Sequence, residues 1–167
     1  INQAGMIFFP RKFAYDYARM RLKKLWEWKV LKRYTNDYTG ELIYYLDKKP
    51  SFHDNAVMNV YANFINAGFT IEYFKREQQW LDGAIRSDAF IVADCPSETR
   101  IVIVEVDHNS PTDISKYEAL YETEMLQQKH GDFPMVLILS NVERTYKSEN
   151  FEIVRLDMRC SEFHKVL

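Results

Sequence analysis

The fold of this chain is decided by residues 86–107, RSDAFIVADCPSETRIVIVEVD. Two apolar runs rich in β-branched residues flank a polar turn, which predicts an antiparallel β-hairpin. With the turn centred between Pro96 and Ser97, Asp88 faces Glu105, because both pairs of numbers sum to 193. Facing residues of such a hairpin have Cβ atoms about 5 Å apart, and two carboxylates that close repel each other unless a cation, a proton or a basic side chain lies between them. The hairpin therefore predicts a metal site, the remnant of one, or a set of salt bridges.

Composition limits the class of protein. The 167 residues are 47% hydrophobic and 15% aromatic, which predicts a packed core rather than a disordered chain. The two cysteines, Cys95 and Cys160, match no zinc-ligand spacing and indicate a reduced setting. No apolar run approaches the roughly 20 residues that span a bilayer, and no signal-peptide pattern is visible. We therefore expect a cytoplasmic protein with no membrane contact.

Periodicity of apolar residues predicts the remaining elements. Helices are predicted at residues 11–31, 52–67, 111–129 and 142–149, and strands at residues 30–34, 41–46, 69–76, 86–93, 100–107, 134–139 and 151–156. Asn109 or Ser110 is the predicted cap of the third helix, and Gly68 and Gly131 are predicted helix stops. From Phe52 onward the order α-β-β-β-α-β-α-β predicts a mixed α/β sheet over residues 51–167.

Residues 1–50 have a different character. Nine Lys and Arg residues lie in residues 11–33 against two acids, so this segment carries 9 − 2 = +7 and the remainder −2 − 7 = −9. Helix, strand, polar turn at residues 36–40 and strand form the second half of a winged helix-turn-helix. The helices that usually precede it are missing or reduced to residues 1–9. We therefore predict a partial winged-helix segment at residues 1–50, joined to the α/β domain by residues 48–50.

The basic helix and the hairpin after it predict contact with DNA. Lys and Arg contacts to phosphate supply most non-specific DNA affinity, and a wing can touch the backbone beside the helix that enters the major groove. The alternative is a solvated helix whose aromatic residues pack a core. The candidate DNA contacts are Arg19, Arg21, Lys23, Lys24, Lys32 and Arg33.

The acidic hairpin resembles a metal-dependent nuclease site in its residue types. Mg²⁺ prefers carboxylate oxygens, and Asp88 with Glu105 would leave open positions for a phosphate and a water. The common nuclease arrangement, D…(D/E)-x-K, has lysine two residues past the second acid, where this chain has Asp107. Lys116, in the following helix, is the predicted replacement. Candidate catalytic residues are thus Asp88, Glu105, Asp107 and Lys116.

Ion pairing explains the same residues without catalysis. In the register that sums to 193, Arg86 faces Asp107, which predicts a cross-strand ion pair. Lys116 would similarly neutralise Asp88 and Glu105.

The order of these motifs resembles the replication-relaxation family of plasmid and mobile-element proteins. The resemblance covers roughly residues 18–121. It runs through ARMRLKKLWEWKVLKRY (18–34), IYYL (43–46), His53, SDAFIV (87–92), VEVD (104–107) and KY (116–117).

The resemblance implies a winged helix-turn-helix followed by a restriction-endonuclease-like, PD-(D/E)XK-type α/β fold: a mixed sheet flanked by helices. It matches Asp88, Glu105, Asp107 and Lys116 to the family's acidic and basic positions, and His53 to its recurrent histidine. The family's second motif is itself E-x-D, which is a departure from active nucleases. Ser87 stands where the family has proline.

Three functions follow as predictions. The first is a DNA-binding accessory protein of plasmid or mobile-element replication and DNA relaxation, with double-stranded DNA and replication or conjugation proteins as partners and a silent nuclease-like site. The second is a Mg²⁺-dependent endonuclease or nickase. The third is a protein-interaction module that forms homo-oligomers through Phe13, Tyr17, Trp26 and Trp28.

Overall fold

A five-stranded mixed sheet lies at the centre of the α/β fold, as the computed structural model shows for residues 1–9, 12–36, 40–108 and 110–167. The helices are α1 (Asn2–Phe8), α2 (Ala14–Glu27), α3 (Phe52–Ala67), α4 (Ser115–Tyr121) and α5 (Met125–His130). The strands are β1 (Lys32–Thr35), β2 (Leu42–Tyr45), β3 (Thr70–Trp80), β4 (Ile85–Cys95), β5 (Glu98–Asp107), β6 (Met135–Ser140) and β7 (Ile153–Leu156). Short 3₁₀ turns follow β3 at Leu81–Gly83 and occur near the end at Phe163–Lys165.

The large sheet has the strand order β3-β4-β5-β6-β7. The first three strands form an antiparallel meander, whereas β6 runs parallel to β5, and β7 runs parallel to β6. The two crossovers that precede β6 and β7 start at the same edge of the sheet. Strand β5 ends at this edge, and its last three residues include Glu105 and Asp107.

The predicted hairpin register is confirmed from Ala89 to the turn, but the strand pairing ends before the predicted Asp88–Glu105 pair. Ala89 pairs with Val104 and Cys95 pairs with Glu98, and each of these pairs sums to 193. The strands are longer than predicted, because pairing continues close to the turn at Pro96 and Ser97.

Alternation along the strands divides the core into two layers. One layer contains Val102, Val104 and Val106 of β5 and packs against α3. The other contains Ile103 and packs against α4 and α5 through Tyr117 and other residues. All six residues of β6 are buried, as expected for a parallel strand that is covered on both faces.

Helix α3 has the predicted bounds because its ends carry local signals. Ser51 accepts a hydrogen bond from the Asp54 backbone N–H, and the Asp54 side chain accepts one from the Ser51 N–H, which completes a capping box. Gly68 ends the helix with φ of 98°, a left-handed conformation that glycine adopts without strain.

The helix predicted at residues 111–129 is instead two short helices, α4 and α5. Glu124 separates them with a left-handed φ of 53°, which no periodicity signals. Ser110 does not cap α4, because the helix begins only after Ile114, whose side chain makes no cap bond. Asn109, the other predicted cap, lies outside the described residues.

The helix predicted at residues 142–149 is wrong: this segment forms no helix. Residues outside the segment form hydrogen bonds with it instead. The Tyr146 hydroxyl donates to Asp107, and the Ser140 hydroxyl donates to the Val142 carbonyl oxygen. The order from Phe52 onward is therefore α-β-β-β-α-α-β-β.

The N-terminal part contains one helix more than predicted. Residues 2–8 form α1, and Gly5 is buried where an added Cβ would lie 3.1 Å from the Ala14 carbonyl oxygen, so α1 and α2 approach closely. Helix α2 is shorter than predicted, because Lys29 adopts a left-handed φ of 60°. The predicted start at Arg11 lies outside the described residues.

Strands β1 and β2 pair as an antiparallel hairpin, Lys32 with Tyr45 through Thr35 with Leu42. The middle of its predicted turn, residues 37–39, lies outside the described residues. The Gln3 amide connects α1 to α3, donating to the Asn55 carbonyl at 3.0 Å and to Asn59 Oδ1 at 2.8 Å. The predicted domain boundary at residue 50 stays a prediction.

No helix in the described ranges has the length and apolar character needed to cross a bilayer.

Candidate functional site

The acidic residues predicted to form a site lie on one face of the sheet. Asp88 shares a face of β4 with Phe90, and Glu105 shares a face of β5 with Ile103, the side that α4 covers. Asp107 follows Glu105 on the same face of β5. The structure thus brings together the four predicted residues, since Lys116 of α4 reaches this face as well.

Asp88 marks the point where β4 and β5 stop pairing. The last paired residues are Ala89 and Val104. Beyond them, Asp88 Oδ2 accepts a hydrogen bond from the Val106 backbone N–H at 2.8 Å. The side chain therefore replaces a backbone acceptor, and the strands diverge.

The predicted Arg86–Asp107 ion pair is wrong as a consequence of this divergence. The register that would align the two residues ends at Ala89, and Asp107 has other partners. Arg86 instead uses its backbone carbonyl, which accepts a hydrogen bond from Lys116 Nζ at 3.1 Å.

Glu105 is buried, with 7% of its surface exposed. Its Oε1 accepts a hydrogen bond from Lys116 Nζ at 2.7 Å and a short one from the Tyr117 hydroxyl. Burial raises the pKa of the Glu105 carboxyl above its usual range, although both donors favour the charged form. Burial, followed by the adjacent Glu105 charge, also raises the pKa of Tyr117, so this phenol stays protonated as a donor. The predicted neutralisation by Lys116 is confirmed for Glu105.

Asp107 is held by a separate set of donors. Its Oδ1 accepts from the Thr112 backbone N–H at 2.9 Å and from the Thr112 hydroxyl at 2.6 Å. Its Oδ2 accepts a short hydrogen bond from the Tyr146 hydroxyl. Burial and the Asp107 carboxylate raise the pKa of Tyr146. Asp107 therefore fastens the segments after β5 and β6 to the end of the sheet.

His53 lies on the opposite side of the same strand end. Its Nε2 is 3.2 Å from the Val106 carbonyl oxygen, so Asp88 binds the backbone N–H of Val106 and His53 binds the backbone C=O of the same residue. His108 stacks on Phe52 at 4.3 Å between ring centroids, on the side of α3. His53 therefore supports the backbone between Glu105 and Asp107, whereas His108 packs against α3.

The carboxylates form a pair rather than a full metal-binding group. Within residues 1–9, 12–36, 40–108 and 110–167, no three His, Cys, Asp or Glu side chains converge in a way that could hold a metal ion. Asp88 and Glu105 are the two acids that would bind one, and Glu105 is already paired with Lys116.

The second candidate region is the surface of α2 and the start of β1. Ala18 is the only buried residue of α2, and Leu22, Leu25 and Trp26 are half-buried. The candidate DNA contacts lie elsewhere on this surface, where all but half-buried Arg33 are exposed: Arg19, Arg21, Lys23, Lys24, Lys32 and Arg33.

Three of these cations have neighbours of their own. Lys23 lies 3.7 Å from the Glu27 carboxylate, and Lys24 lies over the Trp28 ring at 4.8 Å. Arg33 stacks on Trp26 at 3.4 Å. An exposed pair such as Lys23–Glu27 contributes little to stability, so these contacts leave the cations available to a ligand.

In the alternative to DNA contact, the aromatic residues of this segment pack a core; Trp26 is half-buried, but several other apolar residues are not. Phe13, Tyr17, Met20 and Trp28 are each more than half exposed. The helix therefore presents apolar rings and cations together to solvent.

No protein-family model matches this chain, and no curated protein or solved structure matches it. The resemblance to the replication-relaxation family accordingly stays a prediction.

Sequence reasoning missed Tyr117, Thr112 and Tyr146 as partners of the acids. Tyr117 packs in the core beneath α4, and its hydroxyl also donates to Glu105. Tyr146 lies 39 residues from Asp107 in a segment predicted to be helical, so no local pattern could have connected them.

Proposed function

We propose that this protein is a DNA-binding accessory protein on a nuclease-like fold whose acidic site is structural. The observation that carries the proposal is the exposed cationic surface of α2, which is followed at once by the β1–β2 hairpin. The described residues 12–33 carry eight Lys and Arg against two acids, 8 − 2 = +6, in a chain whose net charge is −2.

The cations are placed to contact phosphate. Lys23 and Lys24 are exposed near the end of α2, and Lys32 is exposed at the start of β1. Contacts of this kind release counterions from DNA, and they supply affinity that does not depend on sequence. An acidic partner protein would offer fewer and less regular negative charges.

The element order supports a winged helix as the DNA-holding part. Helix α1, a short connection, α2 and the β1–β2 hairpin follow one another as the last two helices and the wing of that motif do. The left-handed φ of 65° at Phe13 turns the chain sharply into α2.

The sheet supports descent from a nuclease-like fold. An α-helix, a three-stranded meander, a helical crossover and a parallel strand follow one another from α3 to β6, and Asp88 and Glu105 stand where the meander strands diverge. This mixed sheet with flanking helices supports the proposal of a restriction-endonuclease-like domain.

The bonding of the acids supports a silent site. Glu105 is bound by Lys116 and Tyr117, Asp88 by the Val106 N–H, and Asp107 by residues of two later segments. These bonds stabilise the end of the sheet without a cofactor. A role in plasmid or mobile-element replication and DNA relaxation, with replication or conjugation proteins as partners, rests on the resemblance to the replication-relaxation family.

Binding to a double-stranded oligonucleotide at several salt concentrations tests the proposal. Wild-type protein should bind with an affinity that falls steeply with salt, and Lys23→Ala/Lys24→Ala should bind more weakly and reduce the slope of log K against log salt by about 0.9 for each lost phosphate contact. Lys129→Ala/Lys147→Ala removes the same charge from exposed positions elsewhere and should bind as wild type. Asp88→Ala should also keep its affinity. Absence of duplex binding at low salt, or equal losses in both lysine variants, would overturn the proposal.

A metal-dependent endonuclease or nickase is the second candidate. Its support is that Asp88, Glu105 and Lys116 lie together on one face, with the lysine beside the second acid as in D…(D/E)-x-K sites. Cleavage of supercoiled plasmid in Mg²⁺ or Mn²⁺, abolished in Glu105→Ala and retained in Lys23→Ala/Lys24→Ala at high protein concentration, would establish this candidate. Intact plasmid under both metals would rule it out.

A further inference from the structure

One side of α2 carries a straight stripe of rings and cations. Phe13, Tyr17, Arg21, Lys24 and Trp28 are separated by four, four, three and four residues, which places them along one line of a helix. We call this set the α2 stripe. The buried residue of α2, Ala18, is not part of it.

The rings of the α2 stripe are open to solvent. Phe13 is 59% exposed, Tyr17 51% and Trp28 58%. The Phe13 and Tyr17 rings meet edge to face at 6.5 Å, which fixes their planes relative to each other, and Lys24 lies over the Trp28 ring. Three rings this exposed in a folded chain indicate a binding surface rather than part of its core.

The chemistry of the stripe does not suit a fully paired duplex. A helix in the major groove reads the edges of base pairs with hydrogen-bonding groups, since neighbouring pairs cover the faces of each base. Flat rings gain most from stacking on the faces of unpaired bases, and cations between them meet the phosphates.

We propose that the α2 stripe binds single-stranded DNA, with bases stacked on Tyr17 and Trp28 and phosphates on Arg21 and Lys24. The proposal rests on the DNA-binding function proposed above and adds a preference for unpaired strands. Tyr17 and Trp28 are 11 residues apart, about 16 Å along the helix axis. Nucleotides of a stacked strand are about 3.4 Å apart, so the stripe spans roughly four to five of them.

A second copy of this chain suits the stripe less well. In a two-fold dimer the same patch faces itself, so Arg21 and Lys24 of one copy would approach those of the other. Like charges at that distance oppose association, whereas they attract a polyanion. The charge of the described residues 12–33, +6, favours the nucleic acid.

The test compares one oligonucleotide as a single strand and as a blunt duplex of equal length. We expect the single strand to bind wild-type protein at least about fivefold more tightly, and Trp28→Ala or Tyr17→Ala to lose at least about fivefold of single-strand affinity while duplex affinity changes little. Lys23→Ala/Lys24→Ala should weaken both ligands. Val142→Ala, an exposed apolar residue far from α2 in sequence, is the control.

Tryptophan fluorescence gives a second measurement. Trp80 is buried in the sheet core and Trp26 lies beneath Arg33, so Trp28 is the exposed indole. Single-stranded DNA should quench it, and the quenching should be absent in Trp28→Ala. Unfolding curves for each variant will separate loss of binding from loss of fold, and because both rings are exposed these curves should match wild type.

The outcomes distinguish this inference from the function on which it rests. Equal affinities for the two ligands, or equal losses in both with the ring variants, overturn the single-strand proposal and leave DNA binding standing. Binding to neither ligand overturns both. A concentration-dependent dimer that Trp28→Ala disrupts, without DNA binding, would assign the stripe to a second copy of the chain.

Discussion

Lys116 and Glu105 form an ion pair of 2.7 Å between α4 and β5, with the glutamate almost fully enclosed. The lysine Nζ occupies the side of the carboxylate that faces Arg86, whose backbone carbonyl it also binds. A pair of this kind fixes α4 on the sheet and leaves Glu105 Oε1 fully occupied. On the proposal that the acidic site is structural, this contact supports the fold.

The first prediction concerns pH. The folded-state pKa of Glu105 is raised by burial, so the folded protein retains this proton at pH values where the unfolded chain has released it. The stability contributed by Glu105 is then highest when the pH is below the pKa of the unfolded chain. It falls as the pH rises through the pKa of the folded protein. Glu105→Gln removes this titration. Urea unfolding between pH 4 and 8 gives the free energy of unfolding of wild type and of Glu105→Gln. The difference, wild type minus variant, should decrease as pH rises. An increase would contradict a pKa of Glu105 that burial raises.

The second prediction concerns the cation. Lys116→Met leaves a buried carboxylate without its charge partner and should lower the free energy of unfolding by about 2–3 kcal/mol, less than for a fully buried pair because the lysine side chain is 26% exposed. Glu105→Gln/Lys116→Met should recover much of this loss. Urea denaturation of the two single variants and the double variant measures the coupling. A double variant as unstable as the sum of the single variants would show that the two residues act independently.

The third prediction compares two tyrosines. Tyr117→Phe removes a donor from an enclosed carboxylate and should cost about 1–3 kcal/mol, whereas Tyr146→Phe should cost about 0.5–1.5 kcal/mol, since Asp107 keeps both bonds from Thr112. Both changes remove one hydroxyl and leave the ring. Thermal or urea unfolding at pH 7 gives the two values, and the reverse order would contradict the described bonding.

The fourth prediction concerns helix caps. Ser51→Ala breaks the capping box of α3 and should lower stability by about 1 kcal/mol. Ser110→Ala changes a residue whose sequence position suggests a cap but whose hydroxyl does not cap α4, so its effect should stay within about 0.5 kcal/mol. Equal losses in the two variants would contradict a start of α4 at Ser115.

Local signals explain which elements were predictable. The ends of α3 are set by Ser51, Asp54 and Gly68, which act on their own neighbours, and the hairpin register follows from its turn. The split between α4 and α5 was not predictable. Glu124 has a left-handed backbone there, and no glycine or proline marks the break in the sequence. Residues 142–149 were predicted to be a helix from their own sequence, but in the fold they form none and Tyr146 bonds to the buried Asp107, 39 residues away.

The sequence by itself determined the β4–β5 hairpin, the pairing of Ala89 with Val104 and the basic character of α2. It also determined that Asp88 and Glu105 share one face of the sheet. Each of these features depends on nearby residues or on simple periodicity. Tertiary structure alone decided which donors neutralise the acids and which rings of α2 stay exposed. Those outcomes depend on contacts between residues far apart in the chain, such as Tyr146 with Asp107, and on how much surface the other helices leave uncovered. Charge and spacing can be read along the chain, whereas burial and partnership are properties of the packed molecule.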